Sequence, residues 1–301
     1  MLCVIGDLVE DVVVWLPTAL SYGTDTPSRI VRTRGGSASN VAVFAATVNS
    51  DSETRFRSRL IAQVGNDALG DQLVASLEAS SVEPCVVRSG RTGSIVVVVS
   101  PDGERTMLTD RAAATELKKA PKNWHDRVSV LHVPAYSLFS EPLSAAAREC
   151  IAIAHDKRIT VSIDASSSSL IKSFGVTKFR NLVAELNPKV FFCNTDESEV
   201  LSLETQPLEL DIVVIKAGAT PTTLIYKGAQ LSVAVDPVGE VTDSTGAGDA
   251  FAAGFLTRFE QKHIYVSPSK QSDLETLREC VLSGHQLAAR VLRSAGATME
   301  V

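Results

Sequence analysis

The chain has 301 residues, of which 45% are hydrophobic and 21% are charged. This mixture is typical of globular proteins and excludes a disordered chain, a collagen-like repeat or a coiled coil as a description of the whole. The formal net charge of −6 provides no broad positive field. We therefore expect neither nucleic acid nor an anionic membrane as a partner. Length alone leaves one or two domains open.

The cysteine pattern and the N-terminal segment indicate in which cellular compartment the protein is expected. The five cysteines are widely spaced and include no Cys-x-x-Cys pair, which argues against a disulfide framework or a structural zinc site. The first apolar stretch lacks a basic flank and is interrupted by Asp7, Glu10 and Asp11, so no signal peptide is predicted. No apolar run approaches the length of a membrane span. We expect a cytoplasmic protein.

Short apolar runs rich in β-branched residues alternate with segments of helical spacing. The predicted buried strands are Leu2–Ile5, Leu60–Val64, Val128–Val133, Ile159–Ile163, Val190–Cys193 and Ile212–Ile215. The predicted helices include Asp67–Ser80, Glu141–His155, Glu197–Leu203 and a long amphipathic stretch, Leu274–Leu292. This alternation predicts an α/β fold with a mostly parallel sheet and helices on both faces, a three-layer α/β/α core.

Two β-rich segments interrupt the alternation. The predicted short strands in them are Val12–Trp15, Arg29–Thr33, Pro84–Arg88, Gly93–Ser100 and Arg105–Thr109. The dipeptide Asp102-Gly103 is a strong hairpin signal between the last two. We expect these segments to form a small sheet that covers a site.

The sequence Gly246-Ala247-Gly248 is followed by Asp249 at the start of a helix of small apolar residues. Glycines allow a ligand to approach the backbone, and free amides at a helix start form an anion site. An acid there is either a helix cap or a base beside the bound anion. The local pattern does not decide between these two roles.

A second glycine pair, Gly35-Gly36, precedes the first long helix, and Asn40 follows within it. Adjacent glycines permit close approach of the backbone. An asparagine amide both donates and accepts hydrogen bonds, which suits vicinal hydroxyl groups. The alternative interpretation is a plain turn with a helix cap.

Together, Gly35-Gly36-x-x-x-Asn40 and Asp243-Ser-Thr-Gly-Ala-Gly-Asp249 resemble the two signatures of the ribokinase-like (PfkB-type) carbohydrate kinases. Their order, their separation of about 200 residues and the total length also agree. Further matches are Gly65-Asn-Asp67-Ala-Leu-Gly70, Asn194-Thr-Asp-Glu197, and Gly6 with Asp11. The resemblance implies one ribokinase-like domain over residues 1–301, with lid segments about 13–34 and 86–111 inserted in the core.

The resemblance also implies a chemistry. Asp249 would be the general base that takes a proton from a substrate hydroxyl as its oxygen attacks the γ-phosphate of ATP. The amides of Gly246, Ala247 and Gly248 would hold the anion, and the helix dipole is expected to keep Asp249 ionised. Glu197 would bind Mg²⁺ through water. Without that context, Asn194 and Glu197 are equally a helix cap and a first-turn acid.

The nucleotide is expected across the C-terminal half. The ATP-binding residues implied by the family are Asn194, Lys216, Gly218, Thr245, Gly248 and Ser283. The chain has Pro221 where relatives often carry a second glycine, which weakens the nucleotide-loop match. Asp243 and Thr245 match positions that bind a monovalent cation such as K⁺ in many relatives, with further carbonyls from 293–297. His285 is expected to be a packed helical residue, while the role of His132 is left open.

The substrate is expected nearer the N-terminal half. The implied substrate-binding residues are Asp11, Gly35, Gly36, Asn40 and Arg111. Ser37 stands where some sugar-phosphate kinases carry lysine, which favours a neutral sugar or a sugar acid. The predicted activity is therefore phosphorylation of a hydroxymethyl group on such a molecule. A nucleoside kinase on the same scaffold is the alternative, followed by a non-catalytic regulator that binds sugar or nucleotide. The resemblance also admits a homodimer through the lid.

Overall fold

The computed structural model describes residues 1–48, 55–239, 241, 243–262 and 270–293. The strands in these ranges are β1 (Leu2–Ile5), β2 (Val9–Trp15), β3 (Arg29–Gly35), β4 (Ser58–Val64), β5 (Val82–Arg88), β6 (Thr92–Val99), β7 (Arg105–Ala112), β8 (Val130–Pro134), β9 (Thr160–Asp164), β10 (Val190–Asn194), β11 (Ile212–Lys216), β12 (Thr222–Tyr226) and β13 (Ala229–Val233). The α-helices are α1 (Ser37–Val48), α2 (Ala68–Ala79), α3 (Leu143–Asp156), α4 (Ser168–Phe174), α5 (Val176–Leu186), α6 (Thr195–Val200), α7 (Ala247–Gln261) and α8 (Lys270–Val291). Short 3₁₀ helices span Ala113–Thr115, Lys122–His125 and Ala135–Leu138.

The large sheet has the strand order β13-β12-β11-β10-β9-β8-β1-β4-β5. The strands from β11 to β5 pair in parallel, while β12 and β13 add an antiparallel edge. The predicted mostly parallel sheet is thus confirmed. The antiparallel pair was not predicted, because Thr222–Tyr226 and Ala229–Val233 are short and half-polar, as expected for edge strands.

The core lies on both faces of this sheet. Along β1, Leu2 and Val4 belong to one buried cluster with α1, α7 and α8, whereas Cys3 and Ile5 belong to the other, with α3 and α5. Alternating residues of a strand point to opposite faces, so a strand buried on both sides is apolar throughout. The predicted α/β/α layering is confirmed.

The small sheet has the strand order β3-β2-β6-β7. Its boundaries differ from the predicted lid segments, because β2 already begins at Val9 and the second segment begins at Thr92. The strand β5 pairs in parallel with β4 in the large sheet, with Ile61 opposite Cys85. Helix α2 connects these two strands as a crossover, so Val86–Arg88 belongs to the core.

All five cysteines are buried and free. Within the described ranges, no helix has both the length and the apolar character that crossing a membrane requires. The carboxyl ends of β1, β8, β9, β10 and β11 meet at one edge of the large sheet. In open α/β sheets, this edge is where ligands bind.

Candidate active site

The two signature segments meet directly at this edge. Helix α7 starts after Gly246, whose φ of +79° is left-handed, and Asp249 lies in its first turn. The hydroxyl of Ser37 donates to one oxygen of Asp249 at 2.7 Å. The side-chain amide of Asn40 donates to the other oxygen at 3.0 Å. Both carboxylate oxygens are therefore oriented by α1.

The electrostatics of Asp249 differ from our expectation. Burial raises its pKa to about 7, while the hydrogen bonds from Ser37 and Asn40 act in the opposite direction. Asp249 faces a cavity, yet dense protein atoms on its other sides remove water from the carboxylate. With a pKa of about 7, this carboxyl is only partly ionised at neutral pH, whereas the sequence predicted an ionised base.

The glycine pair makes room for two acidic side chains. A Cβ on Gly36, whose φ is +101°, would lie 2.6 Å from the carbonyl oxygen of Asp7. A Cβ on Gly35 would lie 2.1 Å from Cγ of Asp11. A side chain at position 36 would collide with the backbone of Asp7, and one at position 35 would collide with the carboxylate of Asp11. Gly36 lines the site cavity, whereas Gly35 acts by letting Asp11 pack against the turn.

The predicted substrate end of the site, called the substrate cavity below, is a cavity of about 330 Å³ between the small sheet and the large one. Its lining includes predicted residues Asp11, Gly36, Asn40, Arg111, Gly246, Gly248 and Asp249. It also includes Asp7, Tyr136 and Asp164, which were not predicted as site residues. Each of these three lies at or just after the end of a strand, the signal that would have found them.

The acidic groups at this end differ in their partners. Arg111 forms an ion pair with Asp7, and its guanidinium stacks on the ring of Tyr136 at 4.6 Å. Asp11 has one buried oxygen without a hydrogen-bond partner among the described residues. Burial, with added repulsion from Asp7, raises the pKa of Asp11 to about 6. The side-chain oxygen of Asn40 is likewise buried and has no hydrogen-bond partner among the described residues.

A second charged group lies at the ends of β9, β10 and β11. Lys216 donates to Asp164 at 2.5 Å. Glu197 is buried and accepts a hydrogen bond from the backbone of Asn194 at 2.8 Å, while Asn194 caps its amide in return. Glu197 is thus part of a capping box at the start of α6. Burial and the nearby Asp164 raise its pKa to about 7.

A larger cavity of about 780 Å³ continues from this point. Predicted residues that line it are Asn194, Lys216, Gly218, Ala247 and Gly248, and apolar wall residues include Val235, Pro237, Phe251 and Leu292. The two cavities share Asn194, Lys216, Ser244 and Gly248. They therefore meet beside the turn that carries Asp249.

Some predicted residues lie elsewhere. Ser283 lines neither cavity, and its carbonyl instead lies 2.6 Å from the position of a Cβ on Gly254. His285 lines the larger cavity, and it packs against Phe251 as expected for a packed helical residue, with its Nε2 2.8 Å from the Thr222 hydroxyl. His132 is fully buried beside Ser162, outside both cavities.

The predicted cation ligands already contact a side chain of the small sheet. Arg105 forms an ion pair with Asp243 and donates to the hydroxyl of Thr245 at 2.6 Å. Thr245 lines the substrate cavity rather than the larger one. Within residues 293–297, only Arg293 is described, and the predicted carbonyl ligands beyond it lie outside the described residues.

Several known kinases are similar to this chain over almost its whole length. A fructokinase-1 from Oryza sativa subsp. japonica is 24% identical over 313 residues, covering 97% of this chain and 91% of its own. The crystal structure of adenosine kinase from Sinorhizobium meliloti covers 100% of this chain and 96% of its own, with a TM-score of 0.81 and 22% identity. A protein assigned as ribokinase II from E. coli, in complex with ATP and Mg²⁺, covers 98% and 94%, with a TM-score of 0.78 and 18% identity.

These structural likenesses establish the ribokinase-like fold. The model of the pfkB family carbohydrate kinases matches residues 1–300, which is almost the whole length. With the two signature segments joined through Asn40 and Asp249, the chain belongs to the pfkB family of carbohydrate kinases.

Proposed function

We propose that this protein transfers the γ-phosphoryl group of ATP to a hydroxymethyl group of a small sugar or sugar acid, with Asp249 as general base. The observation that carries the proposal is the position of Asp249. Its carboxylate lines the substrate cavity, is held at both oxygens by Ser37 and Asn40, and shares one helix turn with the anion site. A base and an anion site must adjoin for in-line transfer to a hydroxyl group.

The proposed step uses few groups of the chain. Asp249, with a pKa of about 7, is ionised in a large fraction of molecules at neutral pH and accepts the proton of the attacking hydroxyl. The Ala247 amide donates weakly to the Ser244 carbonyl at 3.3 Å. The anion site therefore depends most on the amides of Gly246 and Gly248. The unpartnered oxygens of Asp11 and Asn40 match the hydroxyl donors of a polyol.

The residues present fit ATP and Mg²⁺. The larger cavity has apolar walls that suit a nucleobase. It reaches the turn at Gly246–Gly248, here called the anion turn. Glu197 and Asp164 offer the hard oxygen donors that Mg²⁺ prefers, and the described residues contain no cluster of three acidic, histidine or cysteine side chains. A metal that keeps its waters needs no such cluster. When bound, Mg²⁺ would supply charge neutralisation at the phosphates. Lys216 and Asn194 would orient them from the wall that both cavities share.

A nucleoside kinase remains the second candidate, because the adenosine kinase of Sinorhizobium meliloti has this fold over the full length of the chain. A non-catalytic regulator is disfavoured by the geometry of Asp249. A general base needs a carboxylate that is oriented at both oxygens beside an anion site, whereas a binding protein does not.

The deciding experiment measures phosphate transfer from ATP to pentoses, hexoses, sugar acids and nucleosides. We expect one sugar or sugar acid to be the best acceptor, and Asp249→Asn to lower kcat at least about 1,000-fold while ATP binding persists. The control variant is Asp71→Asn, which changes an exposed first-turn aspartate of α2. Preference for adenosine over every sugar would favour the nucleoside kinase. ATP binding without any transfer would favour the regulator.

We also propose a homodimer through the small sheet. Its outer face carries Val12, Val14, Val96 and Val98 on the two central strands, flanked by Ile30 and Leu108 on the edges. Ile30 and Leu108 are 59% and 58% exposed. Arg32 and Thr106 complete the same two rows at the edges, so the apolar patch consists of these six side chains. Such a patch is costly in water, and a second copy of the same sheet would cover it.

Two further expectations stay predictions. A cytoplasmic location agrees with five free, buried cysteines. A monovalent cation at Asp243 and Thr245 is the other, and the contacts of Arg105 with both side chains argue against it.

A further inference from the structure

Arg105 is the first residue of β7 and follows the tight turn of the β6–β7 hairpin. From this tip of the small sheet, its guanidinium reaches the loop that precedes the anion turn. It pairs with the carboxylate of Asp243, donates to the hydroxyl of Thr245 at 2.6 Å and lies 3.4 Å from the hydroxyl of Ser244. The contacts join residues about 140 positions apart in the chain.

The ion pair of Arg105 with Asp243 is largely buried. The Asp243 side chain is 10% exposed and that of Arg105 is 23% exposed. The same oxygen of Asp243 that Arg105 contacts also accepts a hydrogen bond from the backbone of Thr245 at 2.7 Å. This double contact fixes the loop that leads into Gly246. A guanidinium with fixed donors is well suited to hold a carboxylate and a hydroxyl together.

The Asp243 carboxylate lies close, along the chain, to the turn expected to receive phosphate. A negative charge there would oppose an anionic ligand unless a cation offsets it. The side chains of Asp243 and Thr245 match positions expected to bind a monovalent cation, yet they already contact a permanent cation. These two side chains, as placed, do not fit an added monovalent ion.

We propose that Arg105 is the built-in cation of this loop and makes phosphoryl transfer independent of K⁺. Arg105 also lines the substrate cavity, but in the role proposed here it is a positioning residue, because it acts through its contacts with the loop. It also ties the position of the small sheet to the order of the anion turn. The inference rests on the proposed function for its kinetic readout, but not for its melting-temperature readout.

The test compares wild type with Arg105→Ala, Arg105→Lys and Arg91→Ala, in KCl and in tetramethylammonium chloride at equal ionic strength. Arg91 is a matched control, because it pairs with Asp110 at the small sheet and both side chains are more than half exposed. The two readouts are the melting temperature and kcat with the best acceptor. The melting temperature needs no activity.

We expect less than a twofold difference in wild-type kcat between the two salts and no difference in melting temperature. Arg105→Ala should lose at least tenfold in kcat without K⁺, recover at least threefold with it, and melt higher in KCl. Arg105→Lys and Arg91→Ala should behave like wild type in their response to K⁺.

Two outcomes would overturn the inference. One is a wild-type kcat that falls tenfold or more when K⁺ is replaced. The other is an Arg105→Ala protein whose melting temperature is the same in both salts. If the wild type transfers no phosphate to any acceptor, the proposed function fails, and the melting comparison still decides the role of Arg105.

Discussion

The side-chain amide of Asn40 lies 3.0 Å from a carboxylate oxygen of Asp249, although 209 positions separate the two residues in the chain. This hydrogen bond fixes one signature segment against the other. Asn40 also presents a carbonyl oxygen without a partner among the described residues. In the proposed function, one side chain would thus orient the base and offer an acceptor to a substrate hydroxyl.

The first prediction concerns pH. A base must be deprotonated, so kcat/KM should fall as the pH drops below about 7, the pKa of Asp249. Ser37→Ala removes a hydrogen bond that favours the charged form, so its midpoint should move upward by about 0.5–1 pH unit. Ser39→Ala is the control, because Ser39 donates to Gly35 and not to Asp249. An unchanged midpoint for Ser37→Ala would contradict the role assigned to that contact.

The second prediction concerns stability. Since the folded protein raises the pKa of Asp249 from 3.8 to about 7, the folded state holds a proton that the unfolded state releases between these values. This contribution to stability is therefore lost as the pH rises through that window. Asp249→Asn should increase the free energy of unfolding at pH 8 by about 1 kcal/mol or more.

Urea unfolding at pH 8 and pH 5 measures this effect, and the gain should be smaller at pH 5. The exposed Asp71→Asn variant should lack the gain. An Asp249→Asn protein that is less stable than wild type at pH 8 would argue against a carboxylate whose charge is destabilised by burial.

The third prediction compares the effects of replacing a buried lysine and a more exposed one. Lys216 is the last residue of β11, and Lys189 directly precedes β10. Lys216 and Asp164 form an ion pair whose side chains are 15% and 13% exposed. Lys216→Met leaves Asp164 beside Glu197 without a cation and should cost about 3–5 kcal/mol of unfolding free energy. Lys189→Met breaks a pair with Asp211 that is 30% and 43% exposed, and should cost less than about 1 kcal/mol. Equal losses in urea unfolding would show that burial does not set the difference.

The fourth prediction tests the outer face of the small sheet. Leu108→Glu places a charge on the apolar face and should convert a dimer to a monomer, as measured by size exclusion with light scattering. Leu170→Glu changes another exposed leucine, on α4, and should leave the mass unchanged. A wild-type protein that is monomeric at micromolar concentrations would remove the proposed interface.

The sequence was informative where the signal is local. Apolar runs located the central strands, and glycine turns followed by a helix located Gly36, Asn40 and Asp249. Charge pairing was not readable in this way. The pairs Asp7–Arg111 and Arg105–Asp243 join distant segments, and only the folded topology brings them together.

The same limit explains the boundary of the small sheet. Residues 82–88 and 92–99 are both apolar and short, so their composition does not distinguish a core edge strand from a lid strand. Their partners do, because Ile61 on β4 lies beside Cys85, whereas Val12 on β2 lies beside Val96. Likewise, the raised pKa of Asp249 arises from surrounding atoms that no short motif encodes.

The two cavities adjoin along a shared wall that includes Lys216 and Gly248. A single inhibitor could therefore carry a polyol at one end and a nucleobase at the other, joined by a short anionic bridge over the turn at Gly246. On binding, such a molecule would lose translational and rotational entropy once, whereas two separate ligands lose it twice. Its affinity should therefore exceed that of either half by orders of magnitude.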